Sequence, residues 1–147
     1  MSAFWLSSQE VTMRRVFRLL LFASLGACDD AFEPTVQNVS GLYEAMTFTA
    51  TDASGRTDLL VGSNEFTLTL DTNRTVTGHL FLAGVGEGGA DIDADMAGTW
   101  HLTGRIVTFD QAADTFVRDV EFTADEGVLR AQFVDAGRSV SLRLVRS

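Results

Sequence analysis

The chain has 147 residues, one domain's worth of sequence, and a formal charge of −9, because twenty Asp and Glu oppose eleven arginines. A surface of that charge repels nucleic acid and anionic lipid headgroups, so we exclude DNA, RNA and direct headgroup docking. The single cysteine, Cys28, excludes an intramolecular disulfide.

Residues 14–27 predict an export signal. Arg14, Arg15 and Arg18 precede an apolar run over residues 19–27. That run is too short to cross a bilayer, which takes roughly 20 apolar residues, and it fits the apolar region of a signal peptide, about 7–15 residues long. Residues 1–12 lack the charge of a signal start, so Met13 is the better initiator of a signal peptide ending at residue 27.

The end of this run, Leu25-Gly26-Ala27-Cys28, resembles the lipobox of bacterial lipoproteins. The resemblance implies a diacylglycerol on the Cys28 thiol, cleavage after Ala27 and acylation of the new amino terminus, with palmitate as a typical chain. An anchor with more than one acyl chain holds a protein stably on a membrane. The implied location is the cell envelope, facing the periplasm, with inner and outer membrane left open. The alternative is an ordinary signal peptide with a chance cysteine.

Removing residues 1–27 leaves 120 residues, which bury enough surface to hold a core without disulfides or metals. Residues 28–40 contain Pro34 and show no apolar periodicity. We therefore predict a lipidated, flexible tether over residues 28–40 and a folded domain over residues 41–147.

The domain shows the period-two alternation of half-buried strands. Residues 66–70 alternate apolar side chains with threonine, residues 71–74 supply a turn, and residues 75–83 resume the pattern. We predict eight strands over residues 41–51, 66–70, 75–83, 96–103, 105–110, 115–123, 128–134 and 139–145, with residues 58–63 as a strand extension or loop. No helical stripe appears in this domain. The fold class is therefore all-β, an eight-stranded antiparallel meander that closes into an up-and-down barrel, because closure removes exposed edges.

Alternation assigns the strand faces. We expect the following to point inward: Met46 and Phe48; Phe66, Leu68 and Leu70; Leu80 and Leu82; Trp100 and Leu102; Val107 and Phe109; Val120 and Phe122; Leu129, Ala131 and Phe133; and Val140, Leu142 and Leu144. The opposite faces carry Thr67, Thr69, Thr77, Thr99, Asp119, Glu121, Arg130 and Arg143. Phe81 breaks the rule and is interpreted as a rim or partner-contact residue.

The opening Gly41-Leu42-Tyr43 and the later Gly98-Thr99-Trp100 resemble the Gly-x-aromatic starts of lipocalin-like and avidin-like barrels. The resemblance covers most of the domain as a pattern and implies a lipocalin-like barrel. It transfers no binding residue, because the later lipocalin motifs and the helix that follows the barrel are not evident.

No catalytic residue, metal site or cofactor is predicted. His79 and His101 are the available bases near neutral pH, and alternation places both outside the barrel. Asp91, Asp93 and Asp95 resemble half of a calcium loop, but Met96 and Leu102 stand where that loop needs Gly and Glu. We interpret residues 84–95 as a solvated loop and leave weak calcium binding, with Glu87 as an additional donor, open.

Six aromatic residues are the candidate lining of a ligand cavity: Phe48, Phe66, Trp100, Phe109, Phe122 and Phe133. Eight-stranded barrels are filled by side chains or hold one small ligand. The favoured function is therefore a non-enzymatic, membrane-anchored barrel that binds a small apolar ligand. The alternative is a filled barrel that acts as a structural or interaction module, with an exposed apolar patch around Phe81 or Tyr43 that binds an envelope protein.

Overall fold

The computed structural model describes residues 32–147, and the predicted signal peptide, Cys28 and the start of the tether lie outside them. One short helix and nine strands make up the fold. They are α1 Val36–Val39, β1 Gly41–Asp52, β2 Gly55–Asp58, β3 Glu65–Leu70, β4 Thr75–Leu82, β5 Ile92–Thr103, β6 Ile106–Gln111, β7 Phe122–Asp125, β8 Val128–Asp135 and β9 Arg138–Arg146. Short 3₁₀ turns lie at Glu87–Gly89 and Phe116–Arg118.

The sheet closes on itself, which confirms the all-β, up-and-down barrel. From β3 to β9 each strand pairs antiparallel with the next, β1 pairs with β3, and β9 returns to pair with β1. The closing register runs from Tyr43 opposite Arg146 to Thr51 opposite Ser139. The additional strand, β2, pairs only with the last four residues of β1 and forms a hairpin beside the eight-stranded barrel.

The alternation predicts nearly every inward face, because the predicted inward positions of β3 to β9 are buried, apart from Leu102 and Phe133, which are partly buried against the core. The prediction for β1 is wrong. Met46 is 62% exposed, whereas Phe48 is buried. The register between β1 and β9 shifts by one residue between Ala45 and Thr47, so Met46 is the additional residue of a β-bulge. A bulge reverses which side chains point inward, so Tyr43 and Phe48 share the interior although four residues, an even number, lie between them.

The sixth predicted strand, residues 115–123, is also wrong over most of its length. The 3₁₀ turn Phe116–Arg118 occupies its first part, and β7 begins only at Phe122. Val117 is buried, and Phe116 packs against the core. The apolar residues of this segment therefore fill space beside a short strand instead of extending it.

The fourth predicted strand starts earlier than expected. β5 begins at Ile92, which pairs with Leu82, so Asp93 and Asp95 belong to the outer face of a strand and not to a loop. Within β5, Gly98 is required by close approach, since a Cβ there would lie 2.0 Å from the Asp110 carbonyl oxygen. The Gly98-Thr99-Trp100 sequence thus has a packing reason of its own.

One end of the barrel, at which β1 begins and β9 finishes, is covered by the N-terminal segment; we call it the closed end. Val39 of α1 is 1% exposed, and the Tyr43 hydroxyl donates to its carbonyl oxygen over 2.7 Å. Arg146 Nη1 donates to the Asn38 carbonyl oxygen over 2.6 Å. The structure therefore differs from the predicted flexible tether over residues 36–40, which a Thr35–Asn38 capping box and these contacts hold in place.

Candidate functional site

The opposite end of the barrel, where β1, β4, β6 and β8 finish, contains a cavity; we call this end the mouth. The cavity has a volume of about 220 Å³. Its apolar wall is formed by Phe48, Ala50, Leu59, Leu80, Leu82, Val85, Ile92, Phe116, Phe133 and Val140. Thr115 contributes a hydroxyl to the wall, and Asp114, Asp135 and Arg138 lie at the rim. The barrel is therefore hollow at one end.

Phe116 organises the aromatic part of this cavity. Its ring stacks on Phe133 with centroids 5.1 Å apart, and it lies 5.5 Å from Phe48 and 5.9 Å from Phe66. The 3₁₀ turn delivers this side chain from the connection between β6 and β7. Sequence reasoning missed Phe116 as a cavity residue because it interpreted residues 115–123 as a strand.

The six predicted ligand residues divide into two groups. Phe48 and Phe133 line the cavity, and Phe66 packs directly behind Phe48 and Phe116, with centroids 6.4 Å from Phe48. The other three, Trp100, Phe109 and Phe122, are not part of the cavity wall.

These three residues fill the interior toward the closed end. Trp100 is fully buried, and its indole N–H donates to the Asp71 carbonyl oxygen over 2.9 Å. Phe109 and Phe122 meet edge to face at 5.4 Å. Trp100, Phe109 and Phe122 therefore have a packing role. They fill this part of the interior together with the β3–β4 turn.

A buried polar pair lies behind the cavity wall. Gln111 Nε2 donates to Thr115 Oγ1 over 3.2 Å, and the Thr115 hydroxyl lies 3.9 Å from Met96 Sδ. Within residues 32–147, Gln111 Oε1 is the buried side-chain atom without a hydrogen-bond partner. Burying an acceptor without a partner costs free energy, so this amide is a weak point of the packing beside the cavity.

The rim carries both signs of charge. Arg138 Nη2 lies 3.5 Å from Asp135 Oδ2, and Arg118 Nη2 lies 3.1 Å from Asp114 Oδ1. Hydrogen bonds from Ser54 hold the pKa of Asp52 below its ordinary value, and Arg138 contributes to that shift. Arg118 likewise lowers the pKa of Asp119 through a hydrogen bond. Both arginines at the rim are therefore already engaged by carboxylates.

The two histidines lie on the outer surface and not in the cavity. His79 Nδ1 is 3.0 Å from Asp95, and its Nε2 is 3.8 Å from both Asp93 and Glu65. His101 Nε2 is 3.0 Å from Asp110. Each imidazole meets carboxylates on the outer face of its strand, and neither histidine lines the mouth cavity. Among the described residues, no group of three or more His, Cys, Asp or Glu has the geometry of a metal site.

A second, larger concavity of about 770 Å³ lies on the outside of the barrel below residues 119–121. Residues 119–121 and residues of β7, β8 and β9 line it, together with Thr47 of β1 and Ile106 of β6, and its Arg130 is already paired with Asp125. We regard the mouth as the better candidate in spite of its smaller volume, because it combines enclosure, an apolar wall and a charged rim, the usual features of small-molecule sites.

Fold and site define a small closed antiparallel barrel with one hollow end. No family model matches the chain, and comparisons with curated proteins and with solved structures give no match. No helix within residues 32–147 is long and apolar enough to cross a membrane.

Proposed function

We propose that the protein is a lipid-anchored, non-catalytic envelope barrel that binds a small apolar molecule in its mouth cavity. The observation that supports ligand binding is the cavity of about 220 Å³ among Phe48, Phe116 and Phe133. Known ligand pockets begin at about 300 Å³, so the ligand is a small molecule or the end of a longer one.

The anchor is proposed from the lipobox-like sequence ending in Cys28. The first described residue, Phe32, lies at the closed end, where its carbonyl oxygen accepts from Arg105 and its ring lies 5.9 Å from the Arg105 guanidinium. Four peptide units join Cys28 to Phe32, and four extended residues span at most roughly 14 Å. A lipid on Cys28 would keep the closed end near the membrane and leave the mouth facing the aqueous side.

The described surface gives less support to a scaffold role. Of the two positions predicted for an exposed apolar patch, Tyr43 is wrong because it is buried, and Phe81 is half-buried. The exposed large hydrophobic residues, Leu42, Met46, Val61 and Val134, stand on three different parts of the fold, and Glu44 separates the two on β1. Singly exposed apolar residues are normal and do not mark an interface.

Thermal unfolding with and without hexanol and toluene tests ligand binding. Ala50 lines the cavity and is buried, so Ala50→Leu fills part of it, whereas Ala97→Leu adds the same atoms on the exposed face of β5. We expect ligand to raise the melting temperature of the parent and of the Ala97 variant but not of the Ala50 variant. Equal responses from all three proteins, or none from the parent, would contradict ligand binding at the mouth.

Mass spectrometry of the mature amino terminus tests the anchor separately. The expected product begins at Cys28 and carries acyl chains, and Cys28→Ser releases the barrel from the membrane fraction. A mature chain that keeps residues 19–27 with an unmodified thiol would remove the anchor from the proposal.

A further inference from the structure

Charge is distributed unevenly between the two ends of the barrel. The strand ends and connections on the mouth side carry ten carboxylates and three arginines: Asp52, Asp58, Glu65, Glu87, Asp91, Asp93, Asp114, Asp119, Glu121 and Asp135 against Arg56, Arg118 and Arg138. At the closed end the charges nearly balance: Glu33, Glu44, Asp71, Asp125 and Glu126 against Arg74, Arg105, Arg130 and Arg146. The field at the mouth is therefore negative, and such a field concentrates cations at a concave site.

The cavity wall suits the apolar body of an organic cation. Three aromatic rings, those of Phe48, Phe116 and Phe133, line it. Phe116 and Phe133 stack on each other, so the faces that they turn toward one another are not open to an ammonium group. The same rings and the aliphatic side chains around them accept the apolar part of a ligand.

The rim arginines offer little to an anion. Arg138 faces Asp135, and its field also reaches Asp52. Arg118 is held by both Asp114 and Asp119, each at 3.1 Å. A carboxylate ligand would have to displace one of these carboxylates and then remain among the others.

We propose that the mouth cavity selects small organic cations, molecules with a short apolar body and an ammonium group, over carboxylates of the same shape. The inference rests on the proposed ligand-binding function and names the ligand class of the same site. The apolar body occupies the space between Leu82, Phe116 and Phe133, and the ammonium group lies at the rim near Asp114 and Asp135.

Three probes of equal length test the proposal: hexylammonium, hexanol and hexanoate, titrated calorimetrically at neutral pH. Asp114 and Asp135 already face Arg118 and Arg138, so the excess of carboxylates around the mouth supplies the advantage. We put it at about tenfold, since exposed charges contribute on the order of 1 kcal/mol or less each in high dielectric. We therefore expect hexylammonium to bind about tenfold more tightly than hexanoate, with hexanol between them. Added salt should narrow the difference, because it screens exposed charges.

Matched variants locate the effect. Asp114→Asn combined with Asp135→Asn removes two charges at the rim, and Glu44→Gln combined with Glu126→Gln removes two exposed charges at the closed end. We expect the rim variant to lose most of the preference for hexylammonium and the closed-end variant to keep it. Equal losses in both variants would show that only net charge acts, which would overturn the proposal.

The outcomes separate this inference from the function on which it rests. If hexanoate binds as tightly as hexylammonium and Ala50→Leu abolishes both, the cavity binds ligands but the cation preference is wrong. If none of the three probes binds, or if Ala50→Leu changes nothing, the ligand-binding function itself is wrong.

Discussion

The contact between Tyr43 and Val39 gives a quantitative test of how the N-terminal segment is held on the barrel. Tyr43 is 1% exposed, and its hydroxyl donates to the Val39 carbonyl oxygen over 2.7 Å. Tyr43→Phe keeps the ring and removes the donor. The net loss of a buried neutral hydrogen bond is about 0.5–1.5 kcal/mol, and an acceptor left buried without a partner costs about 1–3 kcal/mol. We expect the free energy of unfolding to fall by about 1–2 kcal/mol in urea denaturation.

The same residue predicts a pH dependence. Burial raises the pKa of Tyr43 above its ordinary value of 10.0, and Arg146 only partly opposes this shift. Between the unfolded and the folded pKa the native state holds the proton that the unfolded chain has lost. The contribution of Tyr43 to stability is therefore fully present below about pH 10 and is lost as the pH rises toward the folded pKa.

The assay is direct because Tyr43 is the only tyrosine in the chain. Tyrosinate absorbance should appear above pH 10 in the folded protein and near pH 10 in the urea-unfolded protein. The alkaline loss of stability should be smaller in Tyr43→Phe than in the parent. An ordinary tyrosine titration in the folded protein, or equal urea midpoints for parent and variant, would refute the account of this contact.

Three further substitutions follow from the packing. Gly98→Ala should lower the free energy of unfolding by about 1–3 kcal/mol in urea denaturation, because the added Cβ meets the backbone of β6. The control Ala97→Ser, on the exposed face of β5, should change it by less than about 0.5 kcal/mol. Similar urea midpoints for the two variants would contradict this reasoning. Phe116→Ala should lower the free energy of unfolding by about 2 kcal/mol, less than the ~3–5 kcal/mol expected for a fully buried Phe, because Phe116 is only partly buried. It should also weaken hexylammonium binding, measured by calorimetry. An unchanged affinity would show that Phe116 is not part of the site. Met46→Ser should change the unfolding free energy by less than about 0.5 kcal/mol, since the bulge leaves Met46 exposed; a larger loss would place that side chain in the core.

Period-two alternation was sufficient to predict the barrel. In β3, β8 and β9 the apolar residues predicted to point inward are those that pack in the interior. The turns around Asn73 and Gly127 lie between strands, as expected. This worked because each strand has one face in the core and one in water, so burial leaves a direct record in the order of residues.

The features that shape the mouth left no such record. The bulge at Met46 is a change in pairing between two strands, and alternation within one strand does not reveal it. The 3₁₀ turn that carries Phe116 contains apolar residues that suit a strand equally well. The sequence does not show that β7 begins only at Phe122, which leaves Phe116 in the connection before it. Of the six predicted ligand residues, Phe48 and Phe133 lie in the cavity wall, and Phe116, which the sequence analysis did not name, lies there as well.

The pairing of β1 with β9 has a consequence for how the chain is made. The first strand remains without one of its two neighbours until residues 138–146 have been synthesised, so the core stays incomplete until that last strand is available. Contacts between the two extremes of a domain are slow to form, because the long intervening loop must close first. A polypeptide built in this way can close its barrel only when the first and last strands meet, so we expect closure to be a late step in folding.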